Sequence, residues 1–174
     1  MNILQGIVSA MQPSMPLHVG ESFFIWRQYV ATTEGKTLCQ TLLNHTKDPE
    51  LLQFIRDFLT EIEKPQIKDL AEIMKREGIE FPSLVTDKAM TQGQDIAAGA
   101  HFSDQEACHL LIGKVEVLML YCYLGLSQTL RDDLAIQFSR YLTALARYGS
   151  ILKRLADKRG WLLHPPPFAP SAPH

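Results

Sequence analysis

The chain has 174 residues, 46% of them apolar and 21% charged, with 17 basic and 19 acidic residues giving a net charge of −2. That length fits one domain with an ordinary globular balance of residues. The charges are mixed along the chain with no basic block, so nucleic acid is not expected as a partner: a phosphate backbone is held by clustered lysine and arginine.

Residues 2–11 fit one short amphipathic helix, ended by Pro13 and Pro16, and residues 1–16 read as an N-terminal arm. The arm lacks a basic n-region and its apolar run is short and interrupted, so no signal peptide is expected. No run approaches the roughly 20 apolar residues of a membrane span. A cytoplasmic location and no membrane span are the expectations.

A bundle of helices is predicted over residues 17–160. The first helix runs from Leu17 to His45. Leu17, Glu21, Phe24, Gln28, Ala31, Gly35, Leu38, Leu42 and His45 alternate spacings of four and three and share one face, and Val19, Phe23, Trp26 and Val30 widen it. Asp48-Pro49-Glu50 starts the second helix, with a capping side chain followed by proline at the first position. Leu51, Ile55, Phe58, Ile62, Leu70 and Ile73 form its core stripe, and Gly78 stops it. Pro65 lies inside this helix. It cannot donate to Glu61 and its ring crowds that carbonyl, which predicts a kink or bulge, not an end, because the apolar pattern resumes.

Residues 79–102 read as a long connection with a short helix near Thr86–Met90. Ser103-Asp104-Gln105-Glu106 is a capping box for a third helix ending at Leu124, with Gly125 as its stop. Cys108, Leu111, Val115, Leu118 and Cys122 form its main stripe, and His109, Ile112, Glu116, Met119 and Tyr123 the adjacent one. The fourth helix spans Gln128 to Arg159, with Arg131-Asp132-Asp133 as an N-terminal signal and Leu134, Phe138, Tyr141, Leu145, Tyr148, Leu152 and Leu155 inward. Residues 161–174 hold five of the ten prolines and are expected to lie extended, with Trp161 and Phe168 docked and His164 and His174 solvated. Cys39, Cys108 and Cys122 fall within helices without a CxxC pair, which reads as small buried thiols in a reducing compartment.

Two helices, a long crossover and two more helices make an all-α, ferritin-like antiparallel four-helix bundle with an extended Pro-rich C-terminal tail. Four segments in order carry a family likeness: His18-Val19-Gly20-Glu21 with Trp26, Phe102-Ser103-Asp104, Leu130-Arg131-Asp132-Asp133, and the ending from Lys158 to Pro166. The chain resembles an uncharacterised family of ferritin-like proteins of spore-forming bacilli, related to spore coat protein F. Members often carry two such domains in tandem. This chain carries one, over nearly its full length. The resemblance implies a spore coat or spore-associated role, with a homodimer in place of the tandem.

A ferritin-like di-iron site takes a Glu from each of two helices and Glu-x-x-His from each of the other two. Here Glu106-Ala107-Cys108-His109 is the single such motif, and Glu106 is already explained as a capping partner. Glu61 and Glu63 have no histidine three residues on, and Phe138, Tyr141 and Tyr148 line the fourth helix. No cofactor is expected. The remaining candidate ligands for di-iron or zinc are Glu21, His45, His109 and Glu116; their bland reading is of boundary residues or partnered polar groups. No nucleophile elbow, phosphate loop or HExxH is present. The expectation is a non-enzymatic structural or interaction protein that self-associates or joins other spore coat proteins. The alternatives are a metal-binding oxidase or storage protein, and a small-molecule binder with a pocket between helices.

Overall fold

The computed structural model describes residues 15–84, 86–89, 96 and 99–166. The proposed helix at residues 2–11, Met90, Phe168 and His174 lie outside them. The described residues form four helical rods: α1 (Val19–His45); α2 (Pro49–Phe58), a π-turn (Leu59–Glu63) and α3 (Lys64–Glu77) in continuous succession; α4 (Asp104–Gln128); and α5 (Asp132–Lys158). No strand occurs among them.

Local chemistry sets the ends. His18 is the N-cap of α1: its ring accepts from Gly20 N at 3.0 Å, and Glu21 accepts from His18 N at 3.1 Å. This double closure starts the helix at Val19, two residues after the predicted start. Asp48 caps α2 by accepting from Leu51 N at 2.9 Å, with Pro49 following. Gly78 ends α3 at φ 71°, a left-handed conformation that costs glycine little. Ser103 and Glu106 form the predicted capping box of α4.

The bulge before Pro65 is a π-turn. The N–H of Lys64 reaches back five residues to Leu59 O, which widens the turn where the proline ring follows. Both Ile62 and Glu63 are thereby turned inward and buried. The third helix does not stop at Gly125. It continues to Gln128, and Gly125 is buried where α4 meets α5: a β-carbon there would stand 2.7 Å from the Phe138 ring. The glycine is a packing contact. Gly125→Ala is expected to lower stability by about 1–2 kcal/mol, overpacking against the ring outweighing the helix propensity gained. A urea melt showing equal or higher stability would contradict this.

Contacts at the ends fix the helix directions. The start of α1 meets the α4–α5 turn, where His18 Nε2 donates to Gln128 O at 3.0 Å, and Arg131 reaches Glu77 at the end of α3. At the other end Phe102 N donates to His45, Lys47 N and Asp48 N donate to the Asp104 carboxylate at 2.7 and 3.1 Å, and Arg159 pairs with Asp48 and Glu50. So α1 and α5 run one way, α2–α3 and α4 the other. Gly78 and Ser103 therefore lie at opposite ends of the bundle, about 40 Å apart for a 27-residue helix. Between them, Phe81 stands edge-on to Tyr29, Lys88 N donates to Gln40 and Ala89 O accepts from Asn44, all on α1. Residues 86–89 are not helical as predicted; two of their backbone groups bond to side chains of α1 instead.

The core follows the predicted stripes of α2–α3 and the main stripe of α4 throughout, and all of the α5 stripe except half-buried Tyr148. The widening stripe of α1 holds in its second half, where Val30 is buried and Trp26 packs on the core, but Val19 and Phe23 are exposed; Ile25 and Cys39, outside the predicted stripes, are buried. All three cysteines are free and buried. Residues 161–166 have no regular structure; Trp161 packs on the core and its N–H donates to Ala156 O at 2.8 Å.

Candidate functional site

The four candidate ligands stand at four separate places. Glu21 is 2% exposed and its oxygens are spent on His18 N, Thr129 Oγ1 at 2.7 Å, Leu130 N at 2.8 Å and Arg131 N at 3.1 Å. Burial alone would raise its pKa, but these bonds bring it below the ordinary value. Its task is to bind the α4–α5 turn. His45 accepts from Phe102 N at 3.1 Å through Nδ1 and packs against the rings of His101 and Phe102. His109 donates from Nε2 to Trp161 O at 2.7 Å, pinning the start of the tail. Glu116 is exposed and paired with Lys153 at 2.8 Å; its stripe forms a groove wall and not the interior. Thus the helix ends meet as the topology requires, yet His45 and His109 bond to different partners. Among the described residues no three His, Cys, Asp or Glu side chains form a group able to hold a metal ion.

The Arg131-Asp132-Asp133 signal does begin α5, and it does more. Arg131 is 4% exposed, and its guanidinium donates to Glu77 through Nη1 and Nη2, both at 3.1 Å, and to Asp133 through Nε at 3.0 Å and Nη2 at 2.8 Å. Bonds from Arg131 lower Asp133, and they lower Glu77 against the effect of its burial. One buried cation joins the end of α3 to the start of α5.

The unassigned chemistry lies deeper. Glu63, turned inward by the π-turn, is fully buried, and neither carboxyl oxygen has a hydrogen-bond partner of ordinary geometry among the described residues. Burial pushes its pKa up to about 8, although the Cys39 thiol, Lys114 and Lys36 pull it back. Cys39 is raised in turn by burial and by Glu63, so its thiol is protonated and inert. Lys114 comes from α4 with a side chain 13% exposed, 3.7 Å from Glu34, and burial lowers its pKa. Gly35 makes the approach of these groups feasible: a β-carbon there would lie 2.2 Å from Glu63 Oε1 and 3.0 Å from Lys114 Cε. Gln28 is likewise fully buried, with both amide atoms unpartnered among the described residues, as are Gln66 Oε1 and the Tyr141 hydroxyl. Tyr148 donates its hydroxyl to Glu61. Sequence periodicity missed Glu63 because the π-turn inserts one extra residue into the inward face. Pro65 was the available signal.

Two surface features complete the site. Leu110, Val117, Leu120 and Tyr123 of α4 are 40–57% exposed. By length and composition α4 is long and apolar enough to cross a membrane, contrary to the reading of the sequence, and only 28% of its most apolar window is buried in the bundle. Beside it, α4 and α5 flank an open groove of about 480 Å³ floored by Ile112, Val115, Met119 and Gly149, with Leu162 at its margin.

Fold and site together define an all-α bundle protein whose polar interior is occupied by its own side chains and whose third rod presents an apolar face. The chain belongs to the family described as "Protein of unknown function (DUF3231)", whose family model matches residues 5–172. It is 28% identical over 161 residues to the uncharacterized protein YvdQ of Bacillus subtilis strain 168, covering 92% of this chain and 94% of that one. A crystal structure of a "putative spore coat protein" from Bacillus halodurans C-125 superposes with a TM-score of 0.85 at 26% identity, covering 90% of this chain and 98% of that one. A conserved hypothetical protein, Rv2844 of Mycobacterium tuberculosis, shares the fold alone, with a TM-score of 0.62 at 11% identity over 80% of this chain and 98% of that one.

Proposed function

We propose that this chain is a non-enzymatic structural protein of the spore coat or its surroundings, a ferritin-like bundle used as an assembly unit that associates with copies of itself. The observation that carries this reading is the exposed face of α4. Leu110, Val117, Leu120 and Tyr123 make it largely apolar, with Lys114 turned to Glu34 and the exposed Glu116–Lys153 ion pair beside it. Apolar surface of this extent costs free energy in water, and a monomer seldom leaves it uncovered. A second copy covers it most economically: two α4 helices related by a twofold axis bury the same residues on each side. The likeness to a spore coat protein supports the setting, with other coat proteins as further partners.

Sedimentation of the wild type at micromolar concentration should show a dimer or larger species. The Val117→Asp/Leu120→Glu double variant should sediment as a monomer with an unchanged melting temperature, because both residues lie outside the core. A wild type that stays monomeric across a wide concentration range would sink the proposal.

A further inference from the structure

A ferritin-like bundle implies metal ions at mid-height, held by carboxylates and histidines from its helices. The residues of this chain do not fit that group. Its interior carboxyl, Glu63, is faced by the Cys39 thiol and by the cationic Lys114 and Lys36, with no histidine in the set. An ammonium at that place repels a second cation strongly, because little solvent screens the two.

The geometry over Gly35 has a simpler sense. Glu63 Oε1 and Lys114 Cε converge on the notch left by the missing side chain of residue 35, one from the π-turn and one from α4. The ammonium of Lys114 lies 3.7 Å from Glu34, while its Cε stands beside the same notch as the Glu63 carboxyl. We propose that Lys114 is the resident counter-ion of Glu63, a tethered cation that takes the electrostatic place of a metal ion in this interior. Only the comparison with metal rests on the ferritin-like reading; the pair itself rests on the notch at Gly35. The charged and titratable groups around it are Lys36 and Cys39 on α1 facing Glu63, Glu34 and Arg27 on α1 facing Lys114, and Lys114 itself on α4. From α5, Tyr148 is engaged by Glu61 on the outer side of the turn.

A counter-ion matters most when its partner is charged. Lys114→Met should therefore lower the melting temperature more at about pH 9 than at about pH 6, by roughly 5 °C or more. That extra loss should vanish when Glu63→Gln is also present. If the methionine variant does not fold, Lys114→Gln, with a polar head in place of the charge, carries the same comparison. Repeating the melts in the Val117→Asp/Leu120→Glu background separates this result from any effect of self-association. An equal loss at both pH values overturns the proposal, as does an extra loss that persists with Glu63→Gln. Uptake of about one Co²⁺ per wild-type chain, abolished by Glu63→Gln, overturns it as well, since the site would then hold a metal.

Discussion

Arg131→Met is expected to destabilise the protein by about 3–5 kcal/mol, the usual cost of removing one partner from a buried ion pair. The guanidinium is almost wholly enclosed, and its loss leaves Glu77 and Asp133, both largely buried, to the half-exposed Arg76, which lies 3.0 Å from Glu77 and 3.8 Å from Asp133. Their bonds to Arg131 hold both carboxyls low, so the variant should also bind protons that the wild type does not. Urea melts at about pH 7 and about pH 4 check both points. The loss should shrink at the lower pH as the stranded carboxylates become neutral. A loss below about 1 kcal/mol at pH 7 would place this pair among ordinary surface salt bridges.

Glu63→Gln is expected to act in the opposite sense, stabilising the protein increasingly as pH rises from about 4.5 to about 8. The folded protein holds the Glu63 proton up to about pH 8, whereas an unfolded chain releases it near the ordinary value of 4.5. Between those values the folded state binds the extra proton, so stability falls as pH rises, and above them the full penalty is in place. The glutamine has no such titration. Its gain should be near zero at about pH 4 and grow to roughly 2–4 kcal/mol at about pH 9, less than the whole penalty because Lys114 loses its partner at the same time. A wild-type stability curve that is flat between about pH 5 and 8, once other groups are matched by the variant, would show that Glu63 does not titrate as its burial requires.

The sequence yielded the bundle readily because its stripes and caps are local. Asp48-Pro49, the Ser103–Glu106 box and Gly78 each act over three or four residues, and each stands in the structure as read. The interior was harder for a definite reason. Periodicity assumes a constant helical pitch, and the π-turn at Leu59–Glu63 breaks it one residue before Glu63 would have pointed elsewhere. On α4 the difficulty was the reverse. That helix is apolar on nearly all sides, so the second stripe, from His109 to Tyr123, reads as inward beside the main one, yet its Glu116 and Tyr123 are exposed. The Gly125 packing role and the Arg131 network depend on residues far apart in sequence, which pattern alone does not bring together.

The turns at the two ends of the bundle are held crosswise. Glu21, from the N-terminal pair of rods, secures the α4–α5 turn through Thr129, Leu130 and Arg131. Asp104, from the C-terminal pair, secures the α1–α2 turn through Lys47 and Asp48. Each half of the chain thus completes the other, and Phe81, Lys88 and Ala89 of the connection between them lie against α1. If two copies traded halves by straightening that connection, both locks would re-form between chains, giving the bundle a route to domain exchange that sacrifices neither lock.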